Sequence, residues 1–431
     1  MAVAIRVLLA LCSAFLLSQF QRASLGVIAP DLMAEVGLTP EGYGLVASGI
    51  FLGVLAGQIP VGVLLDRYGA RKTTSAMQLL AVAATLAFAV ADSLGAMFLA
   101  RFATGLGFAA SLMGTMVVAA RWFPADRFAL ISALVLAGAG GVGSLLAATP
   151  MALLAEWLGW RGTFYFFAFV TLLSTIAVYV FVVDAPDGHP YHRRRVEGLR
   201  ESLAGLVRVI RLPQLPYVLM LTTIGFATLM TIMGVWGGPY LHDVHGLDAI
   251  DRGNVLILLA LGNIIGFLVY GPLDRIFDTR KWVVVVGGTA NIALLAALAL
   301  APELSYWQVA VLFFVLGLVG SYHVTNLALG RALFPDALVG RGMTLINLFT
   351  FLGLSLMQII AGLIVGAFAA ADGSAPAFAY RLMFGFMAAI SLLVILLYSR
   401  VRDIRPSTQR AAQPGPPASS PGTHHGPARS Q

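Results

Sequence analysis

Two arginines and one histidine stand inside stretches that are otherwise almost wholly apolar: Arg22, Arg101 and His323. A guanidinium stays charged at any physiological pH, and its planar fork matches a carboxylate. An imidazole titrates near neutrality and can exchange a proton there. Gln19 and Gln21 flank Arg22, and Tyr322 and Asn326 accompany His323. A further apolar run carries Thr228, Thr231 and Trp236. No Asp or Glu stands mid-run to balance these groups, so they suit an anion better than a cation. They do not form a catalytic constellation, since His323 has neither a nucleophile nor a metal-ligand set around it. A phosphate-binding Gly-Lys-Ser/Thr loop is also absent from the sequence. An enzyme and an ATP-driven pump are thereby disfavoured, and no cofactor is expected.

The elements that must position these residues follow from composition. Of 431 residues, 59% are hydrophobic and 11% charged, with mean hydropathy +0.88. Soluble domains run about 45–50% apolar and about 25% charged. The 47 charged residues cannot cover a water-facing surface for a chain of this length. The chain therefore reads as an integral membrane protein. Its apolar runs are continuous and rich in Leu, Ala and Gly, which favours helices of roughly 20 residues over barrel strands.

Charged and turn-rich punctuation divides the runs into twelve spans: 6–29, 42–65, 73–91, 95–120, 129–155, 162–183, 215–240, 253–273, 282–301, 306–331, 343–369 and 377–399. The fold class expected is an all-α membrane protein of twelve transmembrane helices in two pseudo-symmetric six-helix bundles. Residues 1–183 would form the first bundle, 184–214 an Arg-rich cytoplasmic linker, 215–400 the second bundle and 401–431 a disordered tail. Internal similarity supports the duplication. Pro30 and Pro239 are 209 residues apart, as are Gly62 and Gly271, and similar residues follow each.

Orientation follows from basic residues, 25 of which are Arg. With both termini cytoplasmic, the cytoplasmic loops and ends collect 22 of the 27 Arg and Lys. Arg6 precedes an apolar run with no convincing cleavage site, so no removable signal is expected. The single cysteine, Cys12, allows no intrachain disulfide. No basic face interleaved with aromatics suggests nucleic acid.

The loop after the second span reads Gly62-Val63-Leu64-Leu65-Asp66-Arg67-Tyr68-Gly69-Ala70-Arg71-Lys72. It resembles the signature of the major facilitator superfamily, G-x-L-x-D-R-x-G-x-R-K, at every fixed position. A second copy runs from Gly271 through Asp274, Arg275 and Arg280 to Lys281, its Asp-Arg pair one position early. Arg101-Phe102-Ala103-Thr104-Gly105-Leu106-Gly107 is similar to the family's R-x-x-x-G-x-G motif. The resemblance covers residues 1–400. It implies gating roles for Gly62, Asp66, Arg67, Gly69, Arg71, Lys72, Asp274, Arg275 and Arg280, with Asp66 in a charge-assisted latch.

A narrower resemblance, through Gln21-Arg22-Ala23-Ser24, Ala29-Pro30 and Gly37-Leu38-Thr39-Pro40, is to the anion:cation symporter branch, which carries organic acids. Gln21 stands where that branch usually has an acid. Organophosphate antiporters have a second Arg where this chain has Thr231, so a phosphate ester is not implied.

In this superfamily helices 1, 4, 7 and 10 line a central cavity. The resemblance thus implies substrate-binding roles for Arg22, Arg101, His323, Gln19, Thr231, Trp236, Tyr322 and Asn326. The function expected is secondary transport by alternating access, carrying a small organic anion with coupling to a proton or other ion. The alternative is an exporter or uniporter of a neutral or cationic small molecule, such as a drug, sugar or dipeptide. The expected setting is a bacterial cell inner membrane, with the chain working as a monomer.

Overall fold

The computed structural model describes residues 2–123, 127–128, 131–132, 134–186, 210, 212–300, 304–334, 339–370 and 373–408. Among the described residues, ten helical stretches are long and apolar enough to cross a membrane. Two of them, Pro40–Val90 and Leu134–Phe181, are 51 and 48 residues long and each reverses direction once. The reversals fall at Gly69 (φ 79°) and Gly159 (φ 68°). Only glycine reaches that backbone region without a Cβ clash. Each long stretch is therefore two crossings, and twelve result.

Numbered in order, α1 is Ala2–Ala23, continued after a break at Ser24 by Leu25–Val36. Helices α2 and α3 are 40–68 and 70–90, α4 is Leu94–Trp122, and α5 and α6 are 134–158 and 160–181. Then follow α7 Leu215–Asp243, α8 Ala249–Ile276, α9 Lys281–Leu300, α10 Tyr306–Leu333, α11 Arg341–Gly366 and α12 Ala377–Tyr398. Helices suit this setting because every backbone group bonds within its own segment, away from lipid. Their starts are chemically marked. Thr39 accepts from the Gly42 N–H at 3.2 Å, Asp248 accepts from Asp251 N–H at 2.8 Å, and Ser305 with Gln308 forms a reciprocal cap.

Two expectations change. The polar gaps expected at 66–72 and 156–161 are helical except for the one-residue glycine turns. A glycine at positive φ turns the chain without needing a loop. Most of the Arg-rich linker, with Arg193, Arg194, Arg195, Arg200, Arg208 and Arg211, lies outside the described residues, as do 409–431.

At the end remote from the two termini, the distal end, the first six and last six helices meet backbone to backbone. There Gly26 of α1 faces Gly234 and Gly238 of α7. A Cβ on Gly238 would lie 1.6 Å from the Gly26 carbonyl oxygen, so the helices touch through bare backbone. Gly44 of α2 is pressed in the same way on Gln358 and Gly362 of α11.

Candidate functional site

Arg22 lies on α1 just before the break at Ser24, and it stays partly exposed where Gln21 beside it is buried. Its Nη1 donates to Gln19 Oε1 at 2.6 Å, one turn earlier on the same face. Its Nε has no hydrogen-bond partner, and no carboxylate among the described residues pairs with it. Across the divide between the two halves, the guanidinium carbon lies 5.1 Å from the centroid of the Phe351 ring on α11. An aromatic face attracts a cation but leaves its N–H groups free. The result is a guanidinium with donors to spare and no counter-ion.

Two wide helical turns press on this part of α1. The π-helical segment Leu134–Gly140 of α5 brings Gly140 against Phe15 and Gln19. The π-helical segment Ile232–Trp236 of α7 brings Gly234 against the backbone of Arg22 and Ala23. Such turns occur often at functional sites, where they redirect side chains that a regular helix would place elsewhere.

Arg101 is placed differently. It is 1% exposed, its Nη2 donates to the Gln21 carbonyl at 2.7 Å and its Nη1 to Gln21 Oε1 at 3.3 Å. Phe88 covers it from α3 at 5.5 Å. It clamps α4 to α1 from behind, and Gln21 spends its amide oxygen there. The two arginines therefore have different partners, Arg101 on Gln21 and Arg22 on Gln19 and Phe351.

On the other half, His323 is 7% exposed, with its ring between Phe226 of α7 (4.5 Å) and Phe267 of α8 (5.8 Å). Its Nδ1 lies 3.0 Å from the Gly320 carbonyl. A carbonyl only accepts, so Nδ1 carries the proton and Nε2 is the position that can take another. Asn326 donates to Val218 O and Thr222 Oγ1, tying α10 to α7. Tyr322 packs its ring against Gly225, Gly287 and Gly288, a wedge between α7 and α9. Thr231 and Trp236 are fully buried, and Thr231 Oγ1 and Trp236 Nε1 have no partner. Arg22 and Gln19 are thus brought together, with Phe351 facing them. Arg101 and Asn326 hydrogen-bond to neighbouring helices, and Tyr322 packs between α7 and α9.

Polar contacts also cross between the halves at the distal end. The Tyr43 hydroxyl lies 3.1 Å from the Leu25 carbonyl and 3.2 Å from the Val235 carbonyl, sharing its single proton between α1 and α7. Arg252 donates to Val27 O at 3.2 Å and stands 3.7 Å from Asp31. Thr149 Oγ1 donates to Asn254 Oδ1 at 2.9 Å. The Arg22 site lies just beneath this seal. A groove of about 570 Å³, lined by Ile5, Arg6, Leu9 and Phe181, opens on the apolar perimeter and does not include Arg22.

The signature segment lies at the opposite end. Asp66, expected to latch, is exposed and makes no ion pair among the described residues. The acid that grips this turn is Asp184, beyond the end of α6. Its carboxylate accepts from the Arg71 backbone N–H at 2.9 Å, and Arg71 Nε donates to the Tyr179 carbonyl at 2.6 Å. In the second copy Asp403 accepts from the backbone N–H groups of Arg280 and Lys281, each at 3.1 Å. Asp274 pairs with Arg280 at 3.2 Å, and Asp278 (φ 47°) takes the place of Gly69. Gly62, Arg67, Lys72 and Arg275 surround the two turns. Asp184 and Asp403 carried no sequence signal, since each is a lone acid past a helix end.

Twelve apolar helices in two facing halves, with an arginine between them that no carboxylate among the described residues pairs with, make this a helical membrane protein. The sequence pattern of the Major Facilitator Superfamily matches residues 11–273 and 251–426, and the chain belongs to that superfamily. It is similar to the niacin transporter of Acinetobacter baylyi, 30% identical over 203 residues, 45% of this chain and 44% of that one. It is also similar to an Escherichia coli protein described as a probable galactarate/D-glucarate transporter, 29% identical over 176 residues, 39% of this chain and 38% of that one. The stretch matched is well under two thirds of these relatives' length. Among solved structures, a bacterial homologue of the human lysosomal transporter Spinster, inward-facing, superposes with TM-score 0.76 at 18% identity, over 92% of this chain and 96% of that one.

Proposed function

We propose that this transporter carries a small organic anion, with its carboxylate on Arg22, and that the cargo is coupled to protons through His323. The observation that carries the reading is the state of Arg22: partly exposed, bonded only to a neutral amide, with Nε unpartnered and Phe351 of the opposite half over it. A charge held within a membrane without a partner is costly, and the usual reason to keep one is a ligand of opposite charge. A carboxylate would complete the guanidinium fork with charge-assisted bonds. Because Arg22 belongs to one half and Phe351 to the other, an anion bound there would bear on the contact between them. Binding could thus shift the balance of conformations through differential contacts. Residues 1–183 and 215–400 act as the two moving halves, with the termini and the 184–214 linker cytoplasmic.

His323 fits the coupling role because Nδ1 is committed to a backbone carbonyl and Nε2 is the basic position. The relatives named for niacin and for galactarate/D-glucarate support an organic acid as cargo. The test is uptake into liposomes of a labelled carboxylate and its neutral amide analogue. Wild-type protein should carry the acid and not the amide, and Arg22→Ala should lose the acid. Equal transport of both would defeat the anion reading. His323→Gln should abolish pH-driven accumulation while leaving exchange of cargo for cargo measurable.

A further inference from the structure

Gln358 of α11 is fully buried, and neither its amide nitrogen nor its amide oxygen has a hydrogen-bond partner. A primary amide offers two donors and two acceptor positions, and leaving all of them unused in a buried site is costly. Packed apolar atoms of the same volume would avoid that cost, so the amide's presence needs a reason.

Its position supplies one. Phe351, Gln358 and Gly362 are spaced seven and four residues apart, which places them on one stripe of α11. That stripe faces the first half of the molecule. Phe351 covers Arg22, while the Gln358 backbone and Gly362 press on Gly44 of α2, and Gly366 meets Glu41. Seven residues of helix rise about 10 Å. Gln358 therefore stands at the border between the distal seal and the level of the Arg22 site. Trp236, whose Nε1 is likewise buried without a partner, packs edge-on against Tyr43, the residue next to Gly44. Trp236 and the Gln358 backbone thus bear on consecutive residues of α2.

We infer that Gln358 is the second recognition point of the Arg22 site and takes the hydroxyl groups of a hydroxylated organic acid. The inference rests on the anion reading above and narrows it. A hydroxyl both donates and accepts, as a primary amide does, whereas a hydrocarbon acid offers that amide nothing. An inorganic oxyanion on Arg22 is too short to reach it.

The test compares D-glucarate with adipate, six-carbon dicarboxylates that differ in their hydroxyl groups. Both are titrated into the purified full chain in nanodiscs. Wild-type protein should bind D-glucarate about 10-fold more tightly than adipate. Gln358→Met keeps the volume and should remove most of that preference by weakening D-glucarate alone. Without ligand its thermal midpoint should be no lower than that of wild type. Gln358→Asn, which keeps a shorter amide, should retain part of the preference. An unchanged preference in Gln358→Met, an equal loss for both acids, or a lower ligand-free midpoint would each overturn the inference. The last two are the signs of an amide satisfied by protein or trapped water. Failure of wild type to bind either acid would overturn it as well. If Arg22→Ala loses both acids while Gln358→Met keeps the preference, the anion reading stands and only this inference falls. If Arg22→Ala binds both as wild type does, the anion reading itself fails.

Discussion

Asp184 holds the backbone N–H of Arg71 at 2.9 Å, across 113 residues of sequence, and its carboxylate fills the space over Gly69. A Cβ on Gly69 would lie 2.3 Å from Asp184 Oδ2. The acid thus caps the first turn of α3, where unpaired N–H groups carry partial positive charge. Asp403 does the same at the first turn of α9. The duplicated halves therefore share a device that lies outside the duplicated motif.

The first prediction concerns that device. Gly69→Ala should destabilise the chain by about 2 kcal/mol or more, combining a left-handed backbone with a side-chain clash. Asp184→Ala should lower stability by about 1 kcal/mol through loss of the cap. Asp66→Asn should leave the thermal midpoint where it is, because that carboxylate is exposed and unpaired. Thermal scanning of the three variants checks the order, and an Asp66 variant less stable than the Asp184 variant would contradict it.

The second prediction separates the two arginines. Arg22→Ala should weaken binding of a transported carboxylate by about 10- to 150-fold, the worth of a charge-assisted contact of about 1.5–3 kcal/mol. Arg22→Lys keeps the charge but not the fork, so it should fall between. Arg101→Ala should instead lower stability, because Gln21 Oε1 and its carbonyl lose a buried donor. Calorimetry and thermal scanning on both variants give opposite patterns if this division of labour is right.

A third prediction is a pH dependence at the distal end. Arg161 bonds Glu35 at 2.7 Å and Asp92 at 2.5 Å, and Trp160 donates to Glu35 at 2.6 Å. The hydrogen bond from Arg161 holds the Glu35 carboxyl below the ordinary carboxylate range. A folded-state value below the unfolded one means the ionised pair stabilises at neutral pH and that the contribution fades as pH falls through the folded value. Glu35 is exposed, so the effect is small and screened by salt. The thermal midpoint of Glu35→Gln should fall less on acidification than that of wild type. Parallel curves would remove the pair from the account.

The fourth prediction tests topology. In a Cys12→Ala background, a single cysteine at position 35 or 245 should react with an impermeant reagent applied to intact cells. One at position 195 should react only after the membrane is opened. Labelling of position 195 from outside would invert the chain.

Much of the architecture was legible in the residues themselves. Lipid removes water as an alternative partner, so an apolar run long enough to span must be a helix, and the punctuation between runs then gives the number of crossings. The signature around Asp66 was legible too, because a tight turn and a cluster of charges need particular residue types at fixed spacing. Where the side chains point was not. Arg22 and Arg101 look alike in sequence, each a lone cation in an apolar run. Only the packing of α4 against α1 turns Arg101 onto Gln21 and leaves Arg22 facing Phe351. Asp184 and Gln358 escaped notice for the same reason. Their partners, or lack of partners, lie on helices more than a hundred residues away, and hydrogen-bond satisfaction belongs to the assembled interior. The sequence by itself determined that this chain folds as helices in a membrane; tertiary structure decided which of its few polar groups found a partner in the interior and which did not.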